Sequence, residues 1–148
     1  VNWDHVYAPK FLGDLDFLGM TAYFSLTEKR DPTPAELRAG WRRVAKELGT
    51  VVKQHAPGLP VVFTELGYAS QDGINTDPWD YTMNKDQIDL REQAECLAAF
   101  RAVAGDMPFL GGAYYFDYFD EGGPGDWSYS PRGKPALEEW KLWARFRK

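Results

Sequence analysis

The chain has 148 residues, a formal net charge of −5 and 44% hydrophobic residues, enough apolar material for one globular core. Its acidic balance, with no Lys/Arg cluster standing apart from the acids, argues against a nucleic-acid partner, and no apolar run is long enough to span a bilayer. A lone cysteine, Cys96, excludes an internal disulfide framework and sits in helical surroundings that suit core packing.

The pattern therefore predicts a soluble domain with neither a nucleic-acid nor a membrane partner, and leaves the compartment open. The chain opens on Val1 without a signal-peptide pattern. It is read as a piece of something longer.

In chain order, Leu15 to Tyr23 is rich in apolar and aromatic residues with a glycine inside, as in a strand buried on both faces. Thr33-Pro-Ala-Glu36 then combines a capping-box Thr and Glu with proline at the first helical position. Leu37, Trp41, Val44, Leu48 and Val51 follow at helical spacing, and Gly58 and Pro60 end the helix. A second strand is expected over Val61 to Thr64. A second helix is expected from about Asp86 to Ala104, with Leu90, Ala94, Leu97 and Phe100 on one face and Gly105 past its end. Phe109 to Phe116 reads as a third strand, and Pro135 to about Phe146 as a last helix anchored by Leu137, Trp140 and Trp143.

This alternation predicts parallel strands joined by right-handed crossovers. The segments entering the strands are short. Those leaving them, Phe24 to Thr33, Leu66 to Lys85 and Asp117 to Lys134, are long. In α/β barrels such loops gather at the C-terminal ends of the strands, where the active site lies. Glu65, Tyr23 and Asp117 are expected at that end. Glu65 closes an apolar strand and precedes Leu66-Gly67, so it is either a carboxylate fixed for chemistry or the start of a solvated loop.

The loops carry Trp79, Tyr81, Tyr118, Trp127 and Tyr129 among Asp72, Asn75, Asp77, Asp80, Asp120, Glu121 and Asp126. Sugars offer apolar C–H faces to rings and hydroxyls to carboxylates, so these loops suit a carbohydrate; the other reading is that the rings pack as satellite cores. No cofactor is expected. Only His5 and His55 are available for a histidine metal site, Asp117, Asp120, Glu121 and Asp126 depart from EF-hand spacing, and Gly122-Gly-Pro-Gly125 lacks the Lys and Ser/Thr of a phosphate-binding loop.

Six segments together resemble a family. They are Asn2-Trp-Asp4, Leu15-Asp-Phe-Leu-Gly-Met-Thr-Ala-Tyr-Phe24, Val62-Phe-Thr-Glu-Leu-Gly-Tyr-Ala-Ser70, Asp77-Pro-Trp-Asp-Tyr81, Gln93-Ala-Glu-Cys96 and Tyr129-Ser-Pro-Arg-Gly-Lys-Pro-Ala136. In them the chain resembles glycoside hydrolase family 113, retaining endo-β-1,4-mannanases built on a TIM barrel. The resemblance implies an α/β fold that is a partial (β/α)8 barrel, with the three strands as barrel strands six, seven and eight and residues 1–148 as its C-terminal portion. It implies Glu65 as the nucleophile after strand seven and Tyr23, after strand six, as the phenol that hydrogen-bonds it. Asn2 and Trp3 would follow strand five and line the cleft. Trp79, Tyr115, Phe116, Asp117, Tyr118 and Trp127 complete the expected substrate-binding set.

Two departures matter. The family's general acid/base is a glutamate in an Asn-Glu pair after strand four, and no such pair occurs here. At strand eight, where the family tends to offer tryptophans, this chain has Tyr115-Phe-Asp-Tyr118. The expectation is thus the C-terminal part of a retaining β-glycoside hydrolase, a β-mannanase, acting on a β-linked oligo- or polysaccharide. It would be catalytically incomplete alone and completed by the missing N-terminal half of the barrel or by self-association. The alternatives are another endo-β-glycanase, or a non-catalytic carbohydrate-binding or structural remnant.

Overall fold

The computed structural model describes residues 2, 11–82, 84–119 and 121–145. After a short 3-10 turn, Leu12–Asp14, the strands are β1 (Leu18–Thr21), β2 (Val61–Leu66) and β3 (Leu110–Tyr115). They form one parallel sheet in the order β1-β2-β3. Helix α1 (Pro34–His55) joins β1 to β2, α2 (Leu90–Ala104) joins β2 to β3, and α3 (Ala136–Arg145) follows β3. A parallel sheet with crossover helices is what the alternation predicts.

Local chemistry sets the start of α1. Thr33 Oγ1 accepts from the Glu36 backbone N–H at 3.3 Å, and the Glu36 carboxylate accepts from the Thr33 N–H at 2.8 Å. Two donors that a helix start would leave over are thereby satisfied. The Glu36 carboxyl is held down to about 2, first by its hydrogen bond from Lys29 and then by Thr33. The inward stripe runs Leu37, Trp41, Val44, Leu48, Val52. Val52 takes the last place because it lies one turn on from Leu48, while Val51 packs only at the margin of the core.

The core lies between the helices and one face of the sheet. Phe63 of β2 meets Trp41 of α1 at 6.3 Å and Phe100 of α2 at 6.1 Å between ring centroids, and Trp41 and Phe100 are 5.1 Å apart. Trp143 of α3 closes on Phe100 at 5.5 Å. Leu18, Met20, Val61 and Leu110 are buried on this same side.

Three elements differ from expectation in their bounds. The β1 ladder begins only where the Leu18 N–H bonds to the Pro60 carbonyl at 2.8 Å and the strand ends at Thr21, so Leu15 to Phe17 and Ala22 to Tyr23 lie outside it. Helix α2 begins at Leu90 because Asp89 caps it, accepting from the Glu92 N–H at 2.9 Å, and Ile88 is engaged in an antiparallel bridge with Gln71. The buried face of α2 is consequently Gln93, Cys96, Leu97, Phe100 and Val103, with Leu90 and Ala94 only half-buried. β2 runs on to Leu66, placing Glu65 inside the strand rather than after it.

Burial on both faces is not observed among the described residues. Strand alternation puts Val62, Thr64 and Tyr114 opposite the helices, where Thr64 is exposed and Tyr114 is 67% exposed.

Helix α1 approaches the loop after β1 very closely. A methyl group at Gly40 would stand 2.3 Å from the Leu26 carbonyl oxygen. Gly40→Ala gains at most about 1 kcal/mol of helix propensity but forces backbone apart, a cost of about 1–3 kcal/mol or more. The net expectation is a lower urea midpoint; a raised one would show that Leu26 yields freely.

Candidate active site at the strand ends

Glu65 sits where all three strands end, and its backbone is fixed from both sides. Its carbonyl accepts from the Ala22 N–H at 2.7 Å, and the carbonyl of the next residue, Leu66, accepts from the Phe116 N–H at 3.0 Å. Central strand placement therefore leaves the half-buried side chain few ways to move. Gly67 follows because nothing larger fits: a Cβ there would lie 1.8 Å from the Phe116 carbonyl oxygen.

The Tyr23 hydroxyl donates to Glu65 Oε2 at 2.8 Å. Burial pushes the Tyr23 phenol far up from its ordinary value, and the hydrogen bond to Glu65, the Glu65 charge and the neighbouring Tyr129 and Asp117 add to this. The phenol thus stays protonated and remains a donor. The bond it donates fixes the direction of the Glu65 carboxylate.

Two rings enclose Tyr23. Tyr23 lies edge-on to Phe116 at 6.3 Å and to Tyr129 at 6.0 Å, and Phe116 and Tyr129 are themselves 5.7 Å apart. From Tyr129 the aromatic surface runs outward to Tyr81 at 6.4 Å, which lies nearly parallel to Trp127 at 6.5 Å and 7°. Lys85 Nζ stands 4.6 Å from the centre of the Trp127 ring, within cation–π range. Half-exposed Tyr81 and Trp127 therefore carry the run of rings from Tyr129 to the surface.

The other expected residues divide. Phe116 joins the enclosure, and Asp117, just past β3, acts electrostatically on Tyr23, Tyr115 and Tyr129. Trp79 is 44% exposed on the loop after β2. Tyr118 stacks beneath the Arg132 guanidinium at 4.7 Å. Tyr115 takes a supporting place, its ring 5.2 Å from Trp140 of α3 and its hydroxyl donating to the Tyr129 carbonyl at 2.7 Å. Asn2 is exposed; Trp3, His5 and Asp120 lie outside the described residues.

Tyr129 packs against Tyr23, and Tyr81 against Tyr129, places that their sequence positions do not announce. The signal was their membership of the aromatic loop set. Among the described residues, Asp72, Asp89 and Glu92 bring carboxylate oxygens within 4.8 Å of one another. Each is already engaged: Asp72 with Arg30, Asp89 with the helix start, and Glu92 with the N–H groups of Gly73 and Asn75. No described helix is long and apolar enough to cross a membrane.

The fold resembles solved structures of a known kind. One described as a complex of a GH113 beta-1,4-mannanase superposes with a TM-score of 0.77 at 21% identity, over 98% of this chain and 44% of that one. A second GH113 beta-1,4-mannanase structure matches with the same score and coverage at 22% identity. A beta-glucuronidase of Faecalibacterium prausnitzii matches more loosely, with a TM-score of 0.55 at 17% identity over 89% of this chain and 22% of that one.

This chain thus spans less than half the length of those mannanase chains, and its sheet and helices correspond to a part of a family 113 TIM barrel. No curated protein matches the sequence. The sequence model of Glycoside Hydrolase Family 113 matches residues 4–128, covering the strands, the first two helices and the Glu65–Tyr23 pair, so the chain belongs to that family.

Proposed function

We propose that this chain carries the nucleophile portion of a retaining β-glycoside hydrolase, an endo-β-1,4-mannanase acting on mannan-type polysaccharide. The carrying observation is the 2.8 Å hydrogen bond from Tyr23 to Glu65 at the end of the central strand. Glu65 attacks the anomeric carbon while a second carboxyl, about 5–5.5 Å away, protonates the leaving oxygen. Family membership and the mannanases of like fold support the reading.

The three strands serve as barrel strands six to eight, and the acid comes from the remainder of the barrel. The sheet's edge strands, β1 and β3, and the open face bearing Tyr114 favour completion by that remainder or, failing it, by a second copy. A second reading, an endo-β-glycanase with another sugar preference, is favoured by Asp117 and Tyr118 at the end of β3.

Three expected results test this. The isolated 148-residue chain should release no reducing sugar from mannan; turnover would place the acid within it. Light scattering across concentrations should show dimers or larger species, or recovery of a defined complex with the N-terminal half, and a cooperative monomer would sink the completion argument. In the complete barrel, Tyr23→Phe removes a hydrogen bond to a charged acceptor, about 1.5–3 kcal/mol, and should lower kcat by about 10- to 100-fold with the bell-shaped pH profile retained. Unchanged kcat would separate Tyr23 from the chemistry.

A further inference from the structure

Lys134 closes the long loop after β3, and its side chain is wholly buried. An ammonium group so placed must be matched by acceptors and a counter-charge. Lys134 Nζ donates to Ser70 Oγ at 2.9 Å and to the Ser128 carbonyl at 3.0 Å, and Asp126 Oδ2 lies 3.5 Å away. Burial draws the Asp126 carboxyl up, but the Ser128 N–H at 2.7 Å, the Ser128 hydroxyl at 2.9 Å and the Lys134 charge outweigh it and hold the group below the ordinary carboxylate range.

The cluster joins two loops. Ser70 follows β2, the strand that carries Glu65, whereas Asp126, Ser128 and Lys134 belong to the loop after β3. Ser70 is wired in a fixed sense: its hydroxyl accepts from Lys134 and donates to the Asp126 carbonyl at 2.6 Å, and its N–H donates to the Ser128 carbonyl at 3.1 Å. A second clip comes from α2, where buried Gln93 Nε2 donates to the Tyr68 carbonyl at 2.8 Å and the Tyr129 carbonyl at 3.1 Å. What these bonds hold is the backbone of Ser128 and Tyr129. The Tyr129 ring is the wall against which Tyr23 rests.

The geometry points to Lys134 as a positioning residue for hydrolysis: by pinning Ser128 to Ser70 it fixes the Tyr129 ring, and through it the direction in which Tyr23 donates to Glu65. The inference rests on the reading of Glu65 and Tyr23 as nucleophile and partner. A lysine that merely cemented the loop would matter for stability and leave that hydrogen bond alone.

The test follows the Tyr23 phenol directly, in the complete protein with 13Cζ-labelled tyrosine. Tyr23→Phe assigns the resonance, and Glu65→Gln marks where it moves when the charged acceptor is lost. Lys134→Met should shift the Tyr23 resonance towards the Glu65→Gln position and lower kcat about 10- to 30-fold, with KM changed less than about 3-fold. Ser70→Ala keeps the lysine and removes one of its acceptors together with the Ser70 bond to the Asp126 carbonyl, so it should give the same shift at smaller amplitude even where Lys134→Met does not fold. A Tyr23 resonance unmoved in either folded variant, whatever happens to Tm or kcat, overturns the inference. Failure of the nucleophile reading is seen separately, as activity surviving Glu65→Ala, and leaves the resonance result to be judged by itself.

Discussion

Glu65→Ala in the complete barrel should lower hydrolysis of a β-mannoside by about 10⁴- to 10⁶-fold, the scale on which removing a nucleophile disables a catalytic unit. The fold should stand. Glu65 is only half-buried and its strand position is held by the backbone bond from Ala22, so the loss is chiefly the partner of the Tyr23 hydroxyl, about 1–3 kcal/mol. Azide sharpens the result. With an activated β-mannoside, whose leaving group departs without protonation, the anion takes the vacated space and attacks the anomeric carbon from the side opposite the leaving group. The product expected is the α-mannosyl azide, identified by NMR. Near-normal hydrolysis by the variant, or an azide product of β configuration, would falsify the assignment and leave Glu65 only as the strand residue that accepts from Tyr23.

The features legible in the sequence are those whose cause is local. Thr33 and Glu36 announce α1 because their two hydrogen bonds need only neighbours in the chain, and the Leu37–Trp41–Val44–Leu48 stripe needs only the period of a helix. Glu65 and Tyr23 stand out in the sequence because long loops follow short apolar runs and because the surrounding segments resemble a family. The start of α2 was hidden because the bridge between Ile88 and Gln71 is a long-range contact. In the sequence Tyr115, Phe116, Asp117 and Tyr118 read as one lining set. Strand alternation alone warns that adjacent residues cannot share a face, and the register shift against β2 settles which way Tyr115 turns. In the sequence Lys134 is only one residue of the Tyr129 to Ala136 segment that carries part of the resemblance. Its burial depends on Ser70 and Asp126 converging from two loops, which no spacing reveals.

Alkali should unfold this protein well before it ionises the phenols of the folded state. The Tyr68, Tyr115, Tyr23 and Tyr129 phenols are all pushed up, in each case by burial first, and burial likewise pushes the Cys96 thiol well up. The unfolded chain releases these protons from about pH 8.5 for cysteine and about pH 10 for tyrosine. Above those values the folded state binds more protons than the unfolded one, so the stability these groups contribute is complete at lower pH and falls as pH rises. Each fully buried group costs about 1.4 kcal/mol per pH unit beyond its unfolded value. Cys96 and Tyr68, both fully buried, together reach about 5 kcal/mol by pH 11, comparable with the whole stability of a typical domain, and Tyr129 and the half-buried Tyr23 and Tyr115 add to this. Urea midpoints followed by circular dichroism should therefore decline gently from pH 8.5, steeply above pH 10, and vanish near pH 11. Tyr68→Phe should leave stability at pH 8 within about 1 kcal/mol and flatten the steep limb by one group's share. A midpoint constant from pH 8 to 11 would mean that these phenols reach solvent, and the ring enclosure that keeps Tyr23 a donor to Glu65 would have to be abandoned with it.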